Sequence, residues 1–138
     1  MRIAQGVDIV YIEKFRRVYD RHPAFREDVF SDKEREYCHS LPDPYPHLAG
    51  RFAAKEACLK ALGVGLGGDV SGGLLSEIEI LQAHGGRIEM RLTGWTERLS
   101  RRLHPGRLNL SISLSGEYAI STVMIECDGY NQLNHASI

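Results

Sequence analysis

The sequence contains no apolar run approaching about 18 residues, the length at which a helix begins to span a bilayer. Its opening stretch, MRIAQGVDIVYIEKF, lacks the continuous apolar core and small-residue cleavage site of a secretory leader, so a soluble, unprocessed, cytoplasmic protein with no membrane partner is expected. Cysteine is scarce: Cys38, Cys58 and Cys127 are far apart, odd in number and form no CxxC, which argues against a disulfide framework and a zinc cage and suits a reducing compartment. The six histidines, His22, His39, His47, His84, His104 and His135, show neither HExxH nor regular ligand spacing, and no GxSxG or Cys/His arrangement suggests an internal nucleophile. With a formal net charge of −1 there is no bulk attraction to polyanions, and no aromatic platform interleaves with basic residues, so nucleic acid is not the expected partner. What remains is one domain: 138 residues, 43% apolar, without internal repeats, enough for a real but modest core.

The elements follow from spacing. RIAQGVDIVYI is rich in β-branched residues and predicts a strand in which Asp8 stands in apolar company, flanked by Val7 and Ile9. Ile12, Phe15, Val18 and Tyr19 recur at helical spacing, leaving Lys14, Arg16, Arg17 and Arg21, with Arg26 beyond, on a basic outer face suited to an acidic protein partner. FSDKEREYCHSL offers a capping box, Ser31 with Glu34 three residues on, and PDPYP then breaks the helix. The longest helical pattern runs from His47 to Leu62, with Leu48, Phe52, Ala57 and Leu62 available for one buried stripe and Gly63 ending it. Two alternating runs meet at His84-Gly85-Gly86 as a hairpin, and a short helix follows with Trp95, Leu99 and Leu103 on one face. RLNLSISLS and EYAISTVMIE make the last two strands, while the polar, aperiodic stretch 127–138 reads as a loose tail after a domain of residues 1–126. The fold class is α+β, a central helix on an antiparallel sheet.

Asp8 on a strand and Glu56 on the central helix are the acids placed to meet, and together they can hold one hard cation. Magnesium is commonly bound by one or two carboxylates plus substrate phosphates. Lys60 would then act as a point charge on phosphate, and Arg51 as a bidentate fork for another. Spacing alone leaves a plainer reading open: Glu56 and Lys60 also form an ordinary i,i+4 pair, worth about 0.2 to 0.5 kcal/mol. The glycines of GVGLGGDVSGG follow a helix rather than precede one and lack GK[ST], so they are no P-loop. Ser111, Ser113 and Ser115 read as the polar side of a strand.

Three stretches, GVDIVYIEKF, LAGRFAAKEACLKALGVGLG and LSISLSGEYAISTVMIE, resemble in order and spacing the holo-acyl-carrier-protein synthase family, the short bacterial 4′-phosphopantetheinyl transferases, over residues 3 to 126. The resemblance implies a compact α+β subunit in a homotrimer with active sites between subunits. It also implies transfer of 4′-phosphopantetheine from coenzyme A to a serine of apo-acyl carrier protein, releasing adenosine 3′,5′-bisphosphate. By the same resemblance Asp8 and Glu56 match the magnesium ligands, Lys60 the pyrophosphate-contacting lysine, and Arg51 an arginine near the coenzyme A 3′-phosphate. Gly63, Gly65, Ser113 and Ser115 fall in regions lining the coenzyme A cleft, and Lys14, Arg17 and Arg21 on the surface that docks the acidic helix of the carrier. Two positions depart from the family pattern: Leu114 stands where a histidine is usual, continuing the apolar alternation as a core residue would, and Ile88 stands where a proline is usual. These departures motivate an alternative, a relative that binds the carrier but uses coenzyme A poorly.

Overall fold

A computed structural model describes residues 2–64, 71–103 and 105–127; for Ser71 and Gly72 it describes the backbone alone. Gly65, His104 and residues 128–138 of the expected tail lie outside the described residues. Strand β1 (Arg2–Tyr11) is followed by helices α1 (Ile12–Arg21), α2 (Pro23–Val29), α3 (Asp32–His39) and α4 (Pro44–Ala61). After α5 (Ser71–Leu75) come the hairpin strands β2 (Ile78–Gln82) and β3 (Ile88–Leu92), then α6 (Gly94–Arg101), β4 (Pro105–Ser115) and β5 (Tyr118–Cys127). Two antiparallel sheets result, a three-stranded one in the order β1-β5-β4 and the two-stranded β2-β3.

Helix α4 lies across the inner face of the larger sheet and is enclosed on nearly every side, rather than along the single stripe expected. Leu48, Ala49, Ala53, Ala54, Ala57, Cys58, Leu59 and Ala61 are all buried, as are Arg51 and Lys55. Close approach to the sheet depends on two glycines. A Cβ on Gly6 would stand 1.9 Å from the Ala57 carbonyl oxygen, and one on Gly50 2.7 Å from Ile112 Cγ2. PDPYP separates α3 from α4, as expected, and also begins α4 earlier than His47: Asp43 accepts from Tyr45 N at 3.2 Å, and Pro44 sits in the first turn, where no intrahelical N–H bond is lost. At the other end Gly63, at φ 79°, closes the helix as expected, with Gly63 N donating to Lys60 O and Val64 N to Leu59 O at 2.9 Å.

The parity of β1 is set by its contact with α4. Gly6 must face α4, so Ala4, Asp8 and Val10 face it too, and Val7 and Ile9 turn outward, 52% and 60% exposed. Asp8 pairs in register with Ser121 and Val7 with Thr122, while Ser113 lies opposite Ile120 and Ser115 opposite Tyr118. The outer face therefore carries Ile3, Val7, Ile9, Tyr11, Tyr118 and Met124, all exposed, beside the serines of β4. Trp95 is likewise exposed, and α6 buries Thr96 and Ser100 with Leu99 half-buried. Leu114 does not reach the core; it is 42% exposed beyond Ile112. Cys127, assigned to the tail by composition, is the buried last residue of β5.

Candidate active site

The site begins where β1, α1 and α4 meet. Asp8 projects from the inner face of an edge strand toward the last turns of α4, and Lys60 Nζ donates to Asp8 Oδ1 at 2.9 Å and to the Val7 carbonyl at 3.0 Å. Glu56, one turn before Lys60, lines a cavity of about 550 Å³ together with Asp8 and Lys14. Burial, and after it the negative charge of Asp8, push the Glu56 carboxyl above the usual carboxylate range, with Lys60 opposing. The i,i+4 pair considered from spacing does not form: Lys60 pairs with Asp8 across the seam between α4 and β1, and the Glu56 side chain makes no ion pair or hydrogen bond among the described residues. Of two neighbouring carboxylates one is thus paired with an ammonium and the other is not, a donor set deficient in positive charge.

No group of three His, Cys, Asp or Glu side chains able to hold a metal occurs among the described residues. Two oxygen-donor acids fit a hard cation that keeps waters and takes its other ligands from phosphate, and do not fit zinc or copper.

The remaining expected residues do not join this cluster within one chain. Ser113 and Ser115 project from the outer face of β4, across β5 from β1 and on the opposite side of the sheet from Asp8. Gly63 borders open space at the end of α4. Arg51 is 3% exposed, its guanidinium 4.9 Å from the centre of the Tyr37 ring, and its Nε has no hydrogen-bond partner among the described residues. On α1, Arg17 is held by Glu13 and Arg16 by Asp20, each at 3.8 Å, and Arg16 also stacks on Tyr45. Lys14 and Arg21 form no such pair among the described residues, so they are the cations left available on that helix.

Two features escaped the sequence. The cavity wall beside Glu56 is aromatic, with Phe15, Phe25 and Phe52 packed at centroid distances of 5.6 to 6.0 Å. Lys55, inconspicuous in AAKEA, is fully buried and bonded to Glu34 at 2.7 Å, with burial lowering its ammonium pKa against the opposing pull of Glu34. Helical periodicity carried no sign of it, because Glu34 already had a local explanation as the capping glutamate.

An α+β chain with paired acids and a lysine at the junction of a sheet edge and a central helix has the donor set of a metal-assisted phosphoryl-transfer protein. The chain belongs to the 4′-phosphopantetheinyl transferase superfamily, whose profile matches residues 4–123. Among curated relatives, the holo-[acyl-carrier-protein] synthase of Caldanaerobacter subterraneus is 36% identical over 131 residues, covering 95% of this chain and 99% of that protein. The holo-[acyl-carrier-protein] synthase of Geotalea daltonii is 40% identical over 122 residues, covering 88% and 95%. Among solved structures, the ACPS–CoA complex from Chronobacterium ammoniagenes aligns with a TM-score of 0.79 at 31% identity, over 94% of this chain and 100% of that one. The Helicobacter pylori holo-[acyl-carrier-protein] synthase in complex with coenzyme A aligns with a TM-score of 0.70 at 30% identity, over 88% and 99%.

Proposed function

We propose that this chain transfers the 4′-phosphopantetheine group of coenzyme A to a serine of an apo-acyl carrier protein of fatty-acid or polyketide synthesis in the cytoplasm, with Mg²⁺ held by Asp8 and Glu56. The observation that carries the reading is the Asp8–Lys60–Glu56 cluster at the cavity, in a chain whose relatives are named holo-[acyl-carrier-protein] synthase. In the reaction the serine oxygen bonds to the pantetheine-side phosphorus, the anhydride bond breaks, and adenosine 3′,5′-bisphosphate leaves. When bound, Mg²⁺ supplies charge neutralisation at the pyrophosphate oxygens. Lys60, already at the Asp8 carboxylate, adds a second positive charge beside the leaving phosphate. Glu56, directly or through a water it orients, is the candidate acceptor for the serine proton.

Arg51, whose buried Nε lacks a hydrogen-bond partner among the described residues, is assigned to the 3′-phosphate, and Gly63, Gly65, Ser113 and Ser115 to the walls of the coenzyme A cleft. A site that uses both Asp8 and Ser113 needs two copies of the chain, since one sheet separates them. The exposed apolar outer face of that sheet supports a homotrimer with sites between subunits. Lys14 and Arg21, with Arg17 beside them, form the docking face for the acidic carrier, where charge speeds association and sets register. The test is to incubate the chain with coenzyme A, Mg²⁺ and apo-carrier protein and to weigh the carrier by mass spectrometry. A phosphopantetheine mass gain is expected; no gain with several carriers from a folded protein overturns the reading. Light scattering at micromolar concentration is expected to report three copies per particle, and a monomer would remove the two-subunit site.

A further inference from the structure

Lys55 sits next to Glu56 in α4 and points about 100° away around the helix axis. Its ammonium donates to the Val29 carbonyl at the end of α2, to Glu34 Oε1 on α3 at 2.7 Å, and to the Leu75 carbonyl at the end of α5 at 3.4 Å. The Phe30 ring lies 5.1 Å from Nζ. Glu34 in turn accepts from Ser31 N at 3.0 Å and, through Oε2, from Ile80 N of β2 at 3.1 Å. Neither residue is more than 1% exposed. One ion pair thus joins four elements to the helix that carries Glu56 and Lys60.

Net stability does not account for such a pair, because charges buried this completely lose most of their attraction to desolvation, and apolar replacements of equal size are often neutral or better. Direction does account for it. Apolar contacts let a helix turn about its axis, whereas three hydrogen bonds on one side chain fix its angle. Successive residues are about 100° apart on a helix of radius about 5 to 6 Å, so a rotation of 10° moves the Glu56 side chain by about 1 Å relative to Asp8. Misplacement of that size can lower a reaction rate by about 10²-fold.

We infer that Lys55, through its buried pair with Glu34, is a positioning residue that sets the rotation of α4 and with it the separation of the Glu56 and Asp8 carboxylates. The inference rests on the reading of these acids as a metal site. It is tested with Lys55→Met/Glu34→Gln, which removes both charges and keeps the volume, and with Glu34→Gln alone, which leaves the lysine an amide oxygen. Mn²⁺ affinity in the presence of coenzyme A is measured by calorimetry, transfer by carrier mass, and fold by circular dichroism. The double variant is expected to bind Mn²⁺ about tenfold more weakly and to lose at least tenfold in kcat, with KM for coenzyme A and carrier within about threefold of the parent and native secondary structure retained. A folded double variant with Mn²⁺ affinity and kcat within twofold of the parent overturns the inference. Should the double variant not fold, Glu34→Gln decides by the same two readouts with a threefold threshold. A parent chain that binds Mn²⁺ yet transfers nothing refutes the transferase reading while the affinity comparison still decides the anchor; one that binds no Mn²⁺ refutes both.

Discussion

Replacing Gly6 by alanine would place a Cβ 1.9 Å from the Ala57 carbonyl oxygen, 2.8 Å from Ala61 N and 2.9 Å from the Ala57 carbonyl carbon. All three are backbone atoms of α4, so no side chain can swing aside. To restore an ordinary contact of 3.4 Å the helix must retreat from β1 by about 1.5 Å. Overpacking a core costs about 1 to 3 kcal/mol, and this clash belongs at or beyond the upper end because the obstacle is main chain. For a domain of this size about 3 kcal/mol corresponds to a melting temperature roughly 10 °C lower. The same retreat separates Asp8, two residues along β1 on the same face, from Lys60, whose 2.9 Å bond spans that seam. Transfer should therefore fall by about 10²-fold even at a temperature where the variant is fully folded. Thermal melts followed by circular dichroism, with carrier mass gain measured 20 °C below the midpoint, separate the two effects. A Gly6→Ala protein that melts within 2 °C of the parent and transfers at the parental rate would falsify the packing argument.

Glu56→Gln is expected to keep the fold and to lower transfer by at least about 10²-fold, since on the proposed reading it removes both a cation-holding oxygen and the proton acceptor; full activity in a folded variant takes Glu56 out of the chemistry. Reversing Lys14 and Arg21 to glutamate should weaken carrier binding several-fold at low salt, with the difference shrinking as ionic strength rises, whereas unchanged affinity at low salt places the carrier elsewhere. The three thiols should be inert in the native protein at pH 8. All are buried away from reagent, and burial also pushes Cys58 up to about 12 and Cys38 upward, so almost no thiolate forms at those two; rapid labelling by a thiol reagent before denaturation would show that the core opens.

Much of this arrangement was legible because local chemistry signalled it. Ser31 and Glu34 satisfy each other's backbone N–H groups within a single turn, and Gly63 ends α4 by its positive φ, so the start of α3 and the end of α4 could be read without tertiary information. That Asp8 and Glu56 come to line one cavity was legible from the strand and the central helix that carry them and from the family resemblance, whereas spacing alone favoured a Glu56–Lys60 pair. What stayed hidden depends on contacts distant in sequence. Val7 and Ile9 look like core residues until Gly6 is seen to meet α4, which fixes the parity of the whole strand. Prolines 44 and 46 suggest a break, yet at the start of a helix they cost no hydrogen bond. Lys55 lies among small residues and invites the reading of a surface charge, because no local pattern reveals that Val29, Glu34 and Leu75 converge on it.

The outer face of the β1-β5-β4 sheet has a thermodynamic corollary. If copies of the chain cover one another's Ile3, Val7, Ile9 and Met124, part of the hydrophobic stabilisation is realised only on association, and mass action enters the folding equilibrium. Resistance to heat then becomes a property of the solution as well as of the sequence, rising with each dilution step undone. A polar substitution at Ile9, harmless to an isolated subunit, would lower stability where the protein is concentrated enough to associate and leave it unchanged where dilution has already separated the copies.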